Sequence, residues 1–222
     1  MLCGGLATRL RPVSLHTPKI LLPYRGRTIL EWTLEYLEGY EVILAAGFLG
    51  EKVLDSAPSW VEVVIEKEPL GTGGALKNLE DILDPTFLVM NGDIVTSIPT
   101  KVLEFHHYLN KTLATIALTI QSSSKELDSV KIVGNKIVEY GKNVSNLCNA
   151  GIYVIEHSVL DLIPRSRCSL ENRIFPELCR KKRLAGVTFN CPWWHIRDLE
   201  DYFKDQDCKA HDQSYKAHIK WN

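Results

Sequence analysis

Long apolar runs are missing from this sequence. The longest clean one, Val42–Leu49, falls far short of the ~18 residues that a membrane span requires. No charged segment leads into an apolar stretch in the manner of a secretion signal. Neither sign of charge is in excess: Lys plus Arg number 26, Asp plus Glu 27, and the net charge is −1. That balance excludes the electrostatic footprint of a nucleic-acid or acidic-membrane binder. The six cysteines, Cys3, Cys148, Cys168, Cys179, Cys191 and Cys208, are scattered with no CxxC and no zinc-type spacing, so they read as reduced thiols acting as small hydrophobes. GxxxxGK[ST] and GxGxxG are both absent, which removes the two ordinary phosphate-loop families. There is no internal repeat and no low-complexity linker. The expectation is a soluble cytoplasmic chain with neither nucleic acid nor membrane as partner.

What is present is globular. Apolar residues at 45% and charged residues at 24% sit at the average for folded soluble domains, and 222 residues suit one generous domain or two small ones. Apolar runs at Glu41–Gly47, Val61–Ile65, Phe87–Met90 and Leu113–Ile120 read as short buried strands. Between them, Ile29–Leu37, Thr72–Leu83 and Thr100–Leu109 carry helical spacing. This alternation argues a parallel, helix-flanked sheet through the first 120 residues. Later, Val130–Val133, Lys136–Tyr140 and Ala150–Ile155 are strands joined by polar turns, which suggests antiparallel additions. Leu170–Arg180 reads as a helix, Leu184–Phe189 as a strand and Leu199–Lys204 as a last short helix. The fold class is therefore α/β, a mixed and mainly parallel sheet flanked by helices. An oddity is that only Met1-Leu2-Cys3 precede the first glycine pair, where such a domain opens on a strand of about five residues; either that strand is clipped or the true start lies upstream.

Three clusters carry possible chemistry. Gly4-Gly5-Leu6-Ala7-Thr8-Arg9 follows the strand remnant; glycines there allow backbone N–H groups to approach an anion, and Arg9 adds a bidentate phosphate donor. Lys19 follows ten residues later. A plain turn with surface cations would read the same way. Glu66-Lys67-Glu68-Pro69-Leu70-Gly71-Thr72-Gly73-Gly74 runs from a strand end through a glycine-rich loop into a helix start, a setting for a nucleoside against bare backbone or for a simple connector. Asn91-Gly92-Asp93 ends the strand Phe87–Met90, where a carboxylate is a natural Mg²⁺ ligand or merely good turn chemistry.

Together, GGLATRLRPVSLHTPKILLP, EKEPLGTGGAL, NGD, NAGIY (Asn149–Tyr153) and SLENRIFPEL (Ser169–Leu178) resemble the sugar-1-phosphate nucleotidyltransferases, most of all the short mannose-1-phosphate and heptose-1-phosphate guanylyltransferases. The likeness covers residues 1–204. It implies a Rossmann-like domain with a nucleotide-binding part over 1–120 and a sugar-binding part over 121–204, followed by a polar tail over 205–222. It also implies attack of a sugar phosphate on the α-phosphorus of a nucleoside triphosphate, with release of pyrophosphate and nucleotide-sugar biosynthesis as the outcome. By that resemblance Arg9 and Lys19 are catalytic. Cys3, Gly4, Gly5, Thr8, Glu66, Glu68, Gly71 and Thr72 face the nucleotide. Gly92, Lys142, Asn149, Gly151 and Glu171 face the sugar phosphate. Asp93 holds Mg²⁺. A carboxylate can accept the paired N1–H and N2–H₂ donors of guanine, so Glu66, with Glu68 behind it, tilts base choice toward GTP.

Two departures from the family pattern stand out. The glycine usual before Thr-Arg is Ala7 here, which costs roughly 1 kcal/mol if the position needs positive φ and nothing otherwise. The family's second metal-ligand Asp, in a usual Asp-Ile-Gly-Thr stretch, aligns with His195, and its Gly-Thr with Arg197-Asp198. Imidazole suits Mg²⁺ poorly, leaving three readings. Mg²⁺ is held by Asp93 and substrate phosphates alone; or Mn²⁺ or Co²⁺ uses Asp93 with His195; or the chain is a non-catalytic nucleotide-sugar-binding paralogue. His195 packed beside Trp193 and Trp194, and Asp198 supplying the carboxylate instead, are the local alternatives. A glycosyltransferase-type Asp-x-Asp occurs only at Asp205-Gln206-Asp207, in the tail, which could also dock a second copy in a homodimer.

Overall fold

The computed structural model describes residues 1–121 and 127–204; the Asp205-Gln206-Asp207 expectation and Cys208 lie outside them. In chain order the elements are β1 (Leu2–Cys3), β2 (Pro23–Tyr24), β3 (Arg27–Thr28), α1 (Ile29–Tyr36), β4 (Ile43–Ala46), α2 (Gly50–Ser56), β5 (Glu62–Ile65), α3 (Gly71–Lys77), β6 (Thr86–Met90), β7 (Ile94–Thr96), α4 (Thr100–Asn110), β8 (Ala114–Ile120), β9 (Asp128–Val133), β10 (Lys136–Lys142), β11 (Leu147–Glu156), α5 (Phe175–Arg180), β12 (Leu184–Phe189), β13 (Trp193–His195) and α6 (Leu199–Lys204). They fall into two units interleaved in sequence: among the described residues, 1–69, 91–97 and 192–204 form one, and 70–90, 98–121 and 127–191 the other.

The first unit is built on a parallel sheet ordered β1-β4-β5, with Leu2 also bridging Asn91 in parallel. Helix α1 starts where Thr28 and Glu31 cap each other: the Glu31 N–H donates to Thr28 Oγ1 at 3.1 Å and the Thr28 N–H to Glu31 Oε2 at 2.6 Å. It then buries Ile29, Leu30, Trp32, Thr33 and Leu34. The ladder β7–β13 is antiparallel and pairs Ile94 with His195.

The second unit is a six-stranded sheet ordered β6-β11-β8-β12-β10-β9. Only β8 and β12 run parallel; the other neighbours are antiparallel. The mixed α/β class stands, yet antiparallel pairing reaches β6 and β8, which the alternation of strands and helices placed in a parallel sheet. Continuous apolar runs report burial on both faces and say nothing about the direction of the neighbouring strand. The sheet's centre is nearly dry: every residue from Cys148 to Ile155 on β11 is buried. Helix α4 is tied down by buried His107, whose Nδ1 meets Thr115 Oγ1 at 2.9 Å and whose Nε2 meets Glu156 Oε1 at 2.8 Å.

Two predicted helices come out shorter. Thr72–Leu83 becomes α3 and a 3-10 turn at Glu80–Ile82. Leu170–Arg180 becomes α5 preceded by a π-turn at Leu170–Ile174, closed by the Phe175 N–H on the Leu170 carbonyl. Pro176 has no N–H and its ring crowds the carbonyl four residues back, so the turn widens ahead of it. The short strands β2, β3, β7 and β13 and helix α2 carry no periodicity long enough to read. Among the described residues, Cys3, Cys148, Cys168, Cys179 and Cys191 are free thiols, and no helix is long and apolar enough to cross a membrane.

Candidate active site

In the first unit, the loops after β1 and β5 meet at the carboxyl ends of the parallel strands, where ligands collect in open α/β sheets. A Cβ on Gly4 would lie 3.2 Å from Glu66 Oε1, so the backbone there sits close against that carboxylate, and a side chain at position 4 would push the carboxylate back by a few tenths of an ångström. Gly5 is exposed, and a Cβ there would meet nothing within 4 Å; the protein's own packing does not call for glycine. Ala7 does adopt positive φ, at 46°, and Ser14 Oγ donates to its carbonyl at 2.8 Å. The residue therefore bears the left-handed conformation that the family's glycine would take without strain. Thr8–Leu10 then form a 3-10 turn that buries Leu10 and leaves Thr8 and Arg9 exposed. Glu68 is exposed as well. Cys3 donates its thiol to the Ala45 carbonyl at 3.2 Å. Burial, with the Glu66 charge adding to it, pushes that thiol up to about 12, so it is not a nucleophile.

Lys19, Asp93 and His195 come together from three parts of the chain. Lys19 sits on a 3-10 turn anchored by buried Ile20 and Leu22 and donates to Asp93 Oδ2 at 2.8 Å. His195 Nε2 lies 3.3 Å from the same oxygen. The loop is held by the Gly92 N–H on the Leu2 carbonyl, 2.8 Å, and by the Ile196 N–H on the Asp93 carbonyl, 3.0 Å. Burial alone would raise the Asp93 pKa, but the charges of Lys19 and then His195 override it and hold the carboxyl below its usual range. Asp93 Oδ1 and His195 Nδ1 are buried with no hydrogen-bond partner. The Trp193 and His195 rings lie 5.6 Å apart, so His195 both packs on Trp193 and faces Asp93. Asp198 does not supply a carboxylate there: its Oδ1 accepts the Asp201 N–H at 3.0 Å and caps α6, while Arg197 Nε grips Asp201 Oδ2 at 2.7 Å. The departures at 197 and 198 make a helix start.

In the second unit, Gly71 has φ 74°, and a Cβ on it would meet the Cys168 carbonyl at 2.6 Å; no other residue fits. Thr72, the next residue, donates its hydroxyl to Glu171 Oε2 at 2.6 Å, and Ser169 Oγ donates to the same oxygen at 2.8 Å. Asn149 is buried. Its Oδ1 accepts the Gly151 N–H at 2.9 Å, and its Nδ2 reaches the Tyr153 and Tyr140 hydroxyls at 3.1 and 3.3 Å. Lys142 is half-exposed and paired with Asp128 Oδ1 at 2.9 Å. The structure thus joins Thr72, Asn149, Gly151 and Glu171 in one network and ties Lys142 to Asp128. Tyr140, Tyr153 and Ser169 belong to that network and were not read from sequence. A tyrosine in a strand pattern reads as core, and both are indeed packed against Phe175, with ring centroids 5.9 and 4.9 Å away.

The first unit is a parallel α/β unit that carries a cation, a carboxylate and glycines at its strand ends, and residues 1–208 match the nucleotidyl transferase family model. The chain belongs to that family. It is 33% identical over 220 residues to the mannose-1-phosphate guanylyltransferase catalytic subunit beta of Drosophila melanogaster, covering 91% of this chain and 60% of that one. The chain thus spans about three-fifths of the length of the curated relatives it matches. HddC from Yersinia pseudotuberculosis superposes with a TM-score of 0.79 at 26% identity, covering 92% of this chain and 96% of that one. Its complex with GMP-PN gives 0.75 at 29%, with the same coverage.

Proposed function

We propose that this chain transfers a nucleoside monophosphate from GTP to a sugar 1-phosphate, giving a nucleotide sugar and pyrophosphate, in the cytoplasm where nucleoside triphosphates are available. The observation that carries it is the convergence of Lys19 on Asp93, 2.8 Å apart, in the same unit as Gly4 lying against the Glu66 carboxylate. An oxygen of the sugar phosphate attacks the α-phosphorus in line, a new P–O bond forms, and the bond to pyrophosphate breaks. That oxygen is already ionised near neutral pH, so no general base is needed, and the protein supplies positioning and opposite charge. Arg9, with the Gly4 and Gly5 amides, would hold the departing pyrophosphate, and Lys19 would neutralise the transferring phosphate. Thr8, Glu68 and Gly71 complete the nucleotide side. Glu66 would accept the guanine N1–H and N2–H₂ pair, a choice that the GMP-PN complex of HddC supports. Glu171 would accept sugar hydroxyls, with Gly92, Gly151 and Lys142 around the sugar phosphate.

A divalent cation fits Asp93. Its buried Oδ1 is a hard oxygen donor with no partner in the protein. No group of three or more His, Cys, Asp or Glu converges among the described residues, so an ion there would complete its shell with water and phosphate. Asp93 would hold Mg²⁺, and His195 would add a ligand to Mn²⁺ or Co²⁺. When bound, the ion supplies further neutralisation of phosphate charge.

The test is pyrophosphate release from GTP, dTTP, UTP, CTP and ATP, each crossed with mannose-, glucose-, N-acetylglucosamine- and heptose-1-phosphate, in Mg²⁺ and in Mn²⁺. GTP with one sugar phosphate is the expected pair. Silence in every combination, with nucleotide binding still visible by calorimetry, would assign the chain to the non-catalytic paralogues instead.

A further inference from the structure

Around Glu171 every hydroxyl has its proton direction forced. Thr72 Oγ1 accepts the Leu170 N–H at 2.9 Å, so its own proton goes to Glu171 Oε2. Ser169 Oγ accepts the Asn172 N–H at 3.1 Å and likewise donates to Oε2. The third case passes through Asn149. Strand β11 bulges between Asn149 and Tyr153, and Gly151 in the bulge has φ 77°, which turns its N–H back onto the Asn149 side chain. An N–H can only donate, so the atom it meets is Oδ1 and the amide is oriented. Both Nδ2 hydrogens then point at phenol oxygens, Tyr153 at 3.1 Å and Tyr140 at 3.3 Å, and each phenol gives its one proton onward. Tyr153 gives it to Glu171 Oε1 across a longer 3.4 Å, and Tyr140 to Asp128. Burial, and then the charges of Asp128 and Glu171, hold the Tyr140 phenol well above its ordinary value, so it remains a donor.

We propose that Asn149, Tyr153 and Thr72 are positioning residues, members of a one-way hydrogen-bond relay that orients Glu171 as an acceptor for sugar hydroxyls. The two Asn149 amide hydrogens are spent inside the protein, and Thr72 serves Glu171 in place of the nucleotide. The relay saturates Oε2 and leaves Oε1 with only the long Tyr153 contact, so Oε1 is the atom open to a ligand hydroxyl. This rests on the nucleotidyltransferase reading for the identity of that ligand.

Four variants test it. Tyr153→Phe and Thr72→Val each remove one hydroxyl at nearly constant shape, and Asn149→Asp replaces the donor of the relay by an acceptor. Each should raise KM for the sugar 1-phosphate about tenfold, the effect of one lost hydrogen bond to a charged group, with KM for GTP and kcat within about twofold. In a Glu171→Gln background, Asn149→Asp and Tyr153→Phe should add less than about twofold, because their effect passes through Glu171. Effects that multiply would overturn the proposal by showing that Asn149 touches the sugar itself, and a raised KM for GTP in Thr72→Val would return that residue to the nucleotide. The relay also has a readout without substrate. In ligand-free protein the Asn149 side-chain amide should exchange slowly with water by NMR, and Tyr153→Phe should abolish that protection. Fast exchange in the wild type sinks the relay whatever the enzyme does. Slow exchange in a protein that turns over no sugar phosphate supports the relay and counts against the function alone.

Discussion

Lys19 and Asp93 lie 74 positions apart in sequence and 2.8 Å apart in space. A positioned cation facing developing phosphate charge is commonly worth about 3 kcal/mol or more, so Lys19→Ala should lower turnover at least about a hundredfold while nucleotide still binds; unchanged kinetics would remove Lys19 from the reaction. His195→Asp would give the site a second hard oxygen donor where the imidazole now faces Asp93 Oδ2 at 3.3 Å. The Mg²⁺-supported rate should rise and the ratio of Mn²⁺ to Mg²⁺ rates should fall, whereas a drop under both ions would make His195 a ligand or packing residue in its own right. Ala7, at φ 46°, offers a stability test: Ala7→Gly should stabilise the fold by about 0.5–1 kcal/mol in denaturant melts. Sequence could pose the Ala7 question but not answer it, since φ is set by the chain on both sides.

At the scale of elements, the long ones were legible and the short ones were not. Helix α1 shows in the sequence by the helical spacing of its apolar residues, and α4 and β8 by runs of seven or more residues, while the Thr28–Glu31 capping box came from the structure. The ladder β7–β13 has three residues on each side, too few to show a period, yet it is what holds His195 opposite Ile94, one residue after Asp93. Thr28→Ala should cost about 1 kcal/mol by removing the cap of α1. Hydrogen bonds from the Thr28 backbone and side chain lower the Glu31 pKa, so its contribution is full above the unfolded value of about 4.3 and is lost as pH falls through the lower folded value. The stability gap between wild type and Glu31→Gln should therefore be widest above about pH 5 and narrow progressively as pH falls below the unfolded value. A gap independent of pH would mean that Glu31 does not cap.

For the molecule as a whole, ligand linkage gives the broadest check. A nucleotide that binds only the folded chain at about 100 times its Kd adds about 2.7 kcal/mol, which for a chain of this size raises the unfolding midpoint by roughly 5–10 °C; GTP should give the largest shift among the five triphosphates, and equal shifts would remove Glu66 as the base reader. The α/β class and the glycine-rich strand ends were determined by sequence alone, because burial periodicity and residue chemistry are local properties; the sequence nominated Arg9, Lys19, Asp93 and Glu171 only through the family resemblance. Tertiary structure alone decided the rest. Strand direction in the second unit depends on which runs pair, and periodicity is blind to that. Asp198 became a helix cap because the Asp201 N–H lies within its reach. Asn149 became the centre of a network because a bulge at Gly151 brings Tyr153 to its side and β10 brings Tyr140. Hydrogen bonds between residues distant in sequence exist only once the sheet has set their spacing.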